Sequence, residues 1–430
     1  MSNPAAVWIT GLGTVGAWGA GREGLRACLA ESRAPLSPLA ECGALGAPGQ
    51  PAGQRLPPAV RWAGRVDPAV LRPWLSPAAA RRMSVPSRFA VVAARLAAAD
   101  AGLPFPTDAE SPVPGAESKT AIFVATSFGP SSVTEGLLEQ ILLQGPEAAS
   151  PFLFSESVAN APAAQIARLS GAQGPNLTFT ARQAGPLAAL CQAAGEIRRG
   201  RSPRALAGAV DEVTPLLQTL LDRFRALAPT EDPDVPPVAR PFDRRRRGFL
   251  TGEGATVLVL EAAASALARG ARPLATWLGG GGAFDPSARA SGWGRGGAAL
   301  GRALRRGLER AGIDRASIDL VVANASGARG GDRVEAALLR AAWDGDVLPP
   351  VVAPRGVTGE LAGSPLPAAL LALEGAVFGA TPGFTEEDPE LGLIPHRGGP
   401  FPRPVRRVLL TAPAVGGGFG WAVLEAGASR

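Results

Sequence analysis

The chain has 430 residues, 46% of them hydrophobic and 19% charged, which is enough apolar material for a sizeable core and excludes global disorder. Its 43 Lys and Arg exceed its 37 Asp and Glu, and the resulting +6 is too small and scattered to mark a nucleic-acid binder. One His (His396), one Lys (Lys119) and no Tyr exclude paired histidines for metal or acid–base chemistry.

In chain order, the apolar run 7–10 reads as a strand closed by a tight turn at Gly11-Leu12-Gly13. Residues 21–31 predict a helix with Leu25, Cys28 and Leu29 on one face. Residues 34–66, rich in Pro, Gly and Ala, read as an irregular surface excursion. Residues 77–102 predict an amphipathic helix through Phe89, Val92, Ala93, Leu96 and Ala99, followed by a loop over 104–115. A buried strand is expected at 120–126, a helix at 131–143, a strand at 174–180 and a helix at 185–199. A short strand at 206–210, a helix at 213–226, a charged Pro-rich crossing at 229–254 and a strand at 256–260 complete the first half. The alternation then repeats: a strand from Thr276, a helix at 297–311, a strand at 320–324, and helices at 332–343 and 366–377. Strands at 408–411 and 421–424 close the chain. This pattern predicts an α/β fold with sheets covered by helices. No short tandem repeat suggests a solenoid.

Several function classes drop out. Cys28, Cys42 and Cys191 make neither a disulfide framework nor a C-x-x-C pair. The apolar stretch near 366–378 carries Pro367 and Glu374 and is too short for a membrane span. The N-terminus has no signal-peptide pattern, so a soluble cytoplasmic protein is expected. Gly11-x-Gly13-x-x-Gly16 matches the dinucleotide fingerprint, but no acidic residue follows about 20 positions on, and a structural turn is the better reading. A phosphate loop is excluded because its lysine has no counterpart. Arg244, Arg245, Arg246 and Arg247 form the densest basic run, either a solvated loop or a patch for a phosphate-bearing partner.

Four segments occur in one order: VWITGLGTVGAWGAG, RRMSVPSRFAVVAARLAAADAGL, SPFLFSESVANAPAAQIARLSGAQGPNLTFTA and PFDRRRRGFLTGEGATVLVLE. Together they resemble a β-ketoacyl-ACP synthase, a condensing enzyme of the thiolase fold, over almost the whole chain. The resemblance implies two similar halves, residues 1–260 and 261–430, in an α-β-α-β-α layering, and a dimer. It also implies a Cys nucleophile at a strand-to-helix turn, where the helix N-terminus lowers the thiol pKa, and two assisting histidines. Counting from Gly174-Pro175 places Gln183 at the nucleophile position, Asn324 at the first His and Glu360 at the second. Arg355 stands where the family has Lys, Asp332 and Glu335 keep the family's D-x-x-E spacing, and Val415 stands at the Phe gate. Cys191 lies inside the helix and reads as core, while His396 reads as a surface-loop residue.

The run Ala181-Arg182-Gln183-Ala184-Gly185-Pro186-Leu187 is most similar to a chain-length factor, the β-subunit of type II polyketide synthases. The resemblance then implies a subunit that is not catalytic alone and binds no cofactor or metal. Its partners would be an active Cys-His-His ketosynthase, in a heterodimer, and an acyl carrier protein that supplies the phosphopantetheine arm. Leu138, Phe152 and Phe154 become candidates for the interface or tunnel wall, and Arg244, Arg245, Arg246 and Arg247 for carrier docking. Two alternatives stay open: a malonyl-ACP decarboxylase or other acyl-transfer enzyme using Gln183, and a silent homodimeric scaffold. Against the first, Glu360 adds negative charge where an enolate would form.

Overall fold

A computed structural model describes residues 6–39, 61–105, 119–360 and 365–427. The first half contains β1 (Val7–Gly16), β2 (Gly19–Ala20), α1 (Glu23–Glu31), β3 (Ser37–Pro38), β4 (Trp62–Ala63), α2 (Pro77–Ala80) and α3 (Val85–Asp100). It continues with β5 (Ala121–Ala125), α4 (Ser131–Gln144), α5 (Pro151–Ser157), α6 (Ala161–Ser170), β6 (Asn176–Phe179) and α7 (Gly185–Arg198). It ends with β7 (Arg204–Asp211), α8 (Pro215–Arg223), β8 (Gly254–Ala262) and α9 (Ala263–Ala268). The second half contains β9 (Ala275–Phe284), α10 (Gly297–Arg310), β10 (Leu320–Val322), α11 (Arg329–Trp343), β11 (Val351–Val352), α12 (Arg355–Thr358), α13 (Pro365–Leu373), β12 (Arg407–Pro413) and β13 (Gly418–Ala426).

Strand pairing makes the two halves copies of one plan. One half runs β6-β5-β7-β8-β1 and the other β11-β10-β12-β13-β9. In each, the outer three strands are parallel and the inner pairings antiparallel. The halves join where Val7, Trp8 and Ile9 pair with Trp277, Thr276 and Ala275. α7 and α13 pack in one core cluster with strands of both halves of this continuous sheet, with Leu187, Leu190, Leu366 and Leu370 fully buried. α3 and α6 cover the outer face of the first half of the sheet, and α10 and α11 that of the second. Strands buried on both faces need continuous apolar runs, which Ala121–Ala125 supplies.

The structure corrects several expectations. Gly11 and Gly13 sit within β1 rather than in a turn. A Cβ at Gly11 would stand 2.1 Å from the Ala97 carbonyl oxygen, and at Gly13 1.9 Å from that of Ala93. These glycines let the α3 backbone lie against the strand, which is why a dinucleotide-like spacing arises without a phosphate site. The expected 77–102 helix is two helices: Ser84 caps α3 by accepting from Ser87 N–H, and Pro86 follows at its start. α5, α6 and α9 were not anticipated, because their segments are too short or too Pro- and Ala-rich for a clear period. Much of the expected excursion (40–60) and of the loop (106–115) lies outside the described residues.

Candidate functional site

The site begins at the turn from β6 into α7. Arg182 there has φ +48°, a left-handed backbone that a side chain rarely adopts and that costs about 1–3 kcal/mol. Gln183 follows and is half-buried. Its Nε2 donates to Glu360 Oε1 at 2.5 Å, and its Oε1 accepts from Val415 N–H at 3.2 Å. One carboxamide therefore ties the first half of the chain to two loops of the second.

Glu360 lies just beyond α12 and is buried. Arg355 Nη1 donates to the Glu360 carbonyl at 2.6 Å and sits 3.3 Å from Glu360 Oε2, an ion pair without hydrogen-bond geometry. Val415 is carried by the tight turn between β12 and β13, which Gly416 and Gly417 make with φ +88° and +90°. Asn324, just past β10, donates its backbone N–H to Glu335 Oε1 at 2.9 Å and its Nδ2 to the Pro413 carbonyl at 3.4 Å.

The D-x-x-E pair of α11 holds the Asn324 loop from behind. Asp332 accepts from the N–H groups of Phe242, Ser326 and Gly327, and Glu335 also accepts from Thr411 Oγ1 at 2.7 Å. Burial pushes the Asp332 carboxyl up to about 6 and that of Glu335 up to about 8, with the hydrogen bonds pulling the other way. The structure thus places Gln183 in direct contact with both Glu360 and Val415, and ties Asn324 to the carbonyl of Pro413, two residues before Val415.

What this arrangement can do follows from its unpaired atoms. Asn324 Oδ1 and Glu360 Oε2 are buried and make no hydrogen bond, against the single unpaired donor Arg355 Nε. Buried acceptors oppose a developing oxyanion, which needs donors. The Val415 N–H, a backbone donor aimed at the site, is already taken by Gln183. A carboxamide has no pair of electrons for acyl attack. Cys191 is no substitute: it packs against β13, 3.6 Å from the Trp421 carbonyl, and burial pushes its thiol up to about 12.

Other expected residues fall in three places. Leu138, Phe152 and Phe154 are exposed, Phe154 at 64%, and Leu142, Leu143, Phe128 and Leu177 extend the exposed apolar set. Leu142 and Leu177 were missed because helical and strand periodicity say which residues share a face but not which face is covered. Arg244, Arg245 and Arg247 are exposed, and with Arg240 and Arg329 they line a cleft of about 520 Å³ that also holds Glu231 and Glu386. Arg246 does not belong with them. It is buried and pairs with Asp388 at 2.6 Å and the Asp243 carbonyl at 2.9 Å, so it braces the loop and cannot meet a partner. His396 is not a free surface residue either: its Nε2 lies 3.1 Å from the Phe378 carbonyl and its ring 4.8 Å from that of Phe401. Among the described residues no helix is long and apolar enough to cross a membrane, and no group of His, Cys, Asp and Glu could hold a metal ion.

Comparison with known proteins gives a consistent picture. Residues 5–266 match the family model for the β-ketoacyl synthase N-terminal domain, and residues 276–374 that for the C-terminal domain. The chain is 29% identical over 427 residues, 97% of each chain, to the tetracenomycin polyketide synthase ketoacyl synthase beta subunit of Streptomyces glaucescens. Among solved structures, the ishigamide ketosynthase/chain length factor superposes with a TM-score of 0.84 at 30% identity, over 99% of this chain and 100% of that one. A type II polyketide ketosynthase in complex with its acyl carrier protein (AntDE:AntF) superposes with a TM-score of 0.82 over 99% of this chain and 100% of that one. At 22% identity it speaks for the fold alone.

Proposed function

The chain belongs to the β-ketoacyl synthase family, and from that premise we propose that it is a chain-length factor, the non-catalytic ketosynthase-like subunit of a type II polyketide synthase. It pairs with an active Cys-His-His ketosynthase and helps set the length of the chain carried on the phosphopantetheine arm of an acyl carrier protein. We take its two halves to divide near residue 260. The single observation that carries this reading is the Gln183 carboxamide, which spans from Glu360 to the Val415 N–H. It fills the nucleophile position with a group that cannot attack, and it occupies the backbone donor an acyl oxygen would need.

The exposed apolar side chains of α4 and α5 supply the face for a ketosynthase partner. Leu138, Phe152 and Phe154 belong to that face and are the residues we assign to the tunnel wall. Arg244, Arg245 and Arg247 are the docking arginines for the acidic carrier. The decarboxylase reading is disfavoured by the acceptor-rich pocket. The homodimeric scaffold is separated from the heterodimer by co-expression.

The test is purification of this chain alone and with a Cys-His-His ketosynthase of the same gene cluster, followed by assay with malonyl-loaded carrier protein. The expected outcome is a stable heterodimer that elongates and an isolated chain that does nothing. Turnover by the isolated chain that is lost in Gln183→Ala would overturn the reading.

A further inference from the structure

A second cleft lies at the C-terminal end of α7, between β9 and α10, and has a volume of about 500 Å³. Its floor is the run of four glycines at 279–282, which offers backbone and no side chains. Its walls carry Arg198 from the end of α7 and Arg306 and Arg310 from α10. Arg306 and Arg310 stand one helical turn apart and share a face with Ala303 and Gly307. Gly307 is small because a Cβ there would stand 2.5 Å from the Trp421 ring.

The charge pattern sets this cleft apart. In the cleft beside α1, Arg22 and Arg26 pair with Asp100 and Glu374, and in the cleft at 244–247 Arg244 pairs with Glu386. No carboxylate lines the cleft between β9 and α10, and none of its three arginines makes an ion pair among the described residues. The arginines arrive from both halves of the chain, so they are not one solvated helix face. The Arg198 guanidinium lies 5.5 Å over the Trp277 ring, which holds it at the rim. Trp277 itself is 8% exposed, lines the cleft, and its Nε1 donor has no hydrogen-bond partner. The side-chain polar groups offered are therefore all donors, and three of them carry positive charge.

Such a site suits an anion with at least two negative charges and a fork-compatible geometry: a diphosphate has both, a single carboxylate has the fork but one charge, and chloride has neither. The volume exceeds what a bare anion fills and matches ordinary ligand pockets. We propose that this cleft binds a diphosphate ester, with the phosphates on Arg306 and Arg310 and the organic part on the glycine floor against Trp421. This inference is independent of the function proposed above, since no residue at 183, 324, 360 or 415 lines the cleft.

The experiment titrates the full-length chain with inorganic pyrophosphate, ADP and adenosine at constant ionic strength set with sodium chloride, read by calorimetry and tryptophan fluorescence. Saturable binding of pyrophosphate and ADP is expected, with adenosine weaker than ADP by at least about tenfold. Arg306→Gln/Arg310→Gln is expected to weaken ADP by about tenfold or more with an unchanged melting temperature. Arg302→Gln, on the same helix outside the cleft, is expected to bind as the parent does. Adenosine binding as tightly as ADP, no saturable binding of either phosphate, or equal loss in Arg302→Gln would each overturn the proposal.

Discussion

The buried pair of Arg355 and Glu360 offers a direct measure of how the site around Gln183 is held. Their side chains are 3% and 4% exposed, with Nη1 and Oε2 3.3 Å apart, and Nη1 also bonds the Glu360 carbonyl at 2.6 Å. Arg355→Met removes both interactions and leaves the Glu360 carboxylate buried with Gln183 Nε2 as its remaining donor. Removing one partner of a buried pair costs about 3–5 kcal/mol, far above the 0–1 kcal/mol of a surface pair. Glu360→Met strands the guanidinium in turn and costs a similar amount. The double variant strands neither, so its loss falls short of the sum by at least about 2 kcal/mol. The assay is guanidinium unfolding followed by tryptophan fluorescence and far-ultraviolet circular dichroism, with coincident transitions required before free energies are compared. A loss below about 1 kcal/mol in Arg355→Met, together with additivity in the double variant, would refute a buried, coupled pair.

Stability is also expected to fall between about pH 5 and pH 8. Burial raises the folded-state pKa of Asp211 to about 7 and of Glu335 to about 8, so between the unfolded and folded values the native chain holds more protons than the unfolded one and each step up in pH favours unfolding. Asp211→Asn should flatten that slope in melting curves taken across the range; an unchanged slope would count against the assignment. Gly13→Ala should prevent accumulation of folded chain, because the new Cβ meets the Ala93 carbonyl at 1.9 Å, and recovery of soluble protein with the parent's melting temperature would contradict this. Phe154→Asp and Leu142→Asp, at positions 64% and 79% exposed, should leave the isolated chain folded yet abolish co-purification with a ketosynthase; retention of the partner at parental yield would sink the interface assignment.

Different parts of the molecule were legible to different degrees, for physical reasons. The alternation of strands and helices was readable because β5 and the Val257–Leu260 run of β8 are buried on both faces and apolar throughout. The break between α2 and α3 was readable in principle from Ser84 and Pro86, but the clear apolar period from Phe89 to Ala99 was extended back over the Ala-rich segment before it. The glycines of β1 misled because glycine serves both a turn and a close backbone approach, and only the position of α3 separates the two. Arg246 misled because a run of like residues looks uniform in sequence, whereas the loop turns one of four inward to Asp388.

At the site, the identities of Gln183, Asn324 and Glu360 already departed from the chemistry the resemblance implies. They did not say what replaced it, because hydrogen bonds across 177 and 232 positions leave no local pattern. The replacement is itself informative. Such a pocket could have collapsed onto apolar side chains, which replaces buried ionic groups at no loss of stability in other proteins. Here it keeps a carboxylate, a guanidinium and two amides, with several atoms unpaired. A Gln that reaches both Glu360 and the Val415 turn fixes two loops of the second half against α7. The polar site is then a brace between the start of α7 and two loops of the second half, which gives its retained polar groups a structural role.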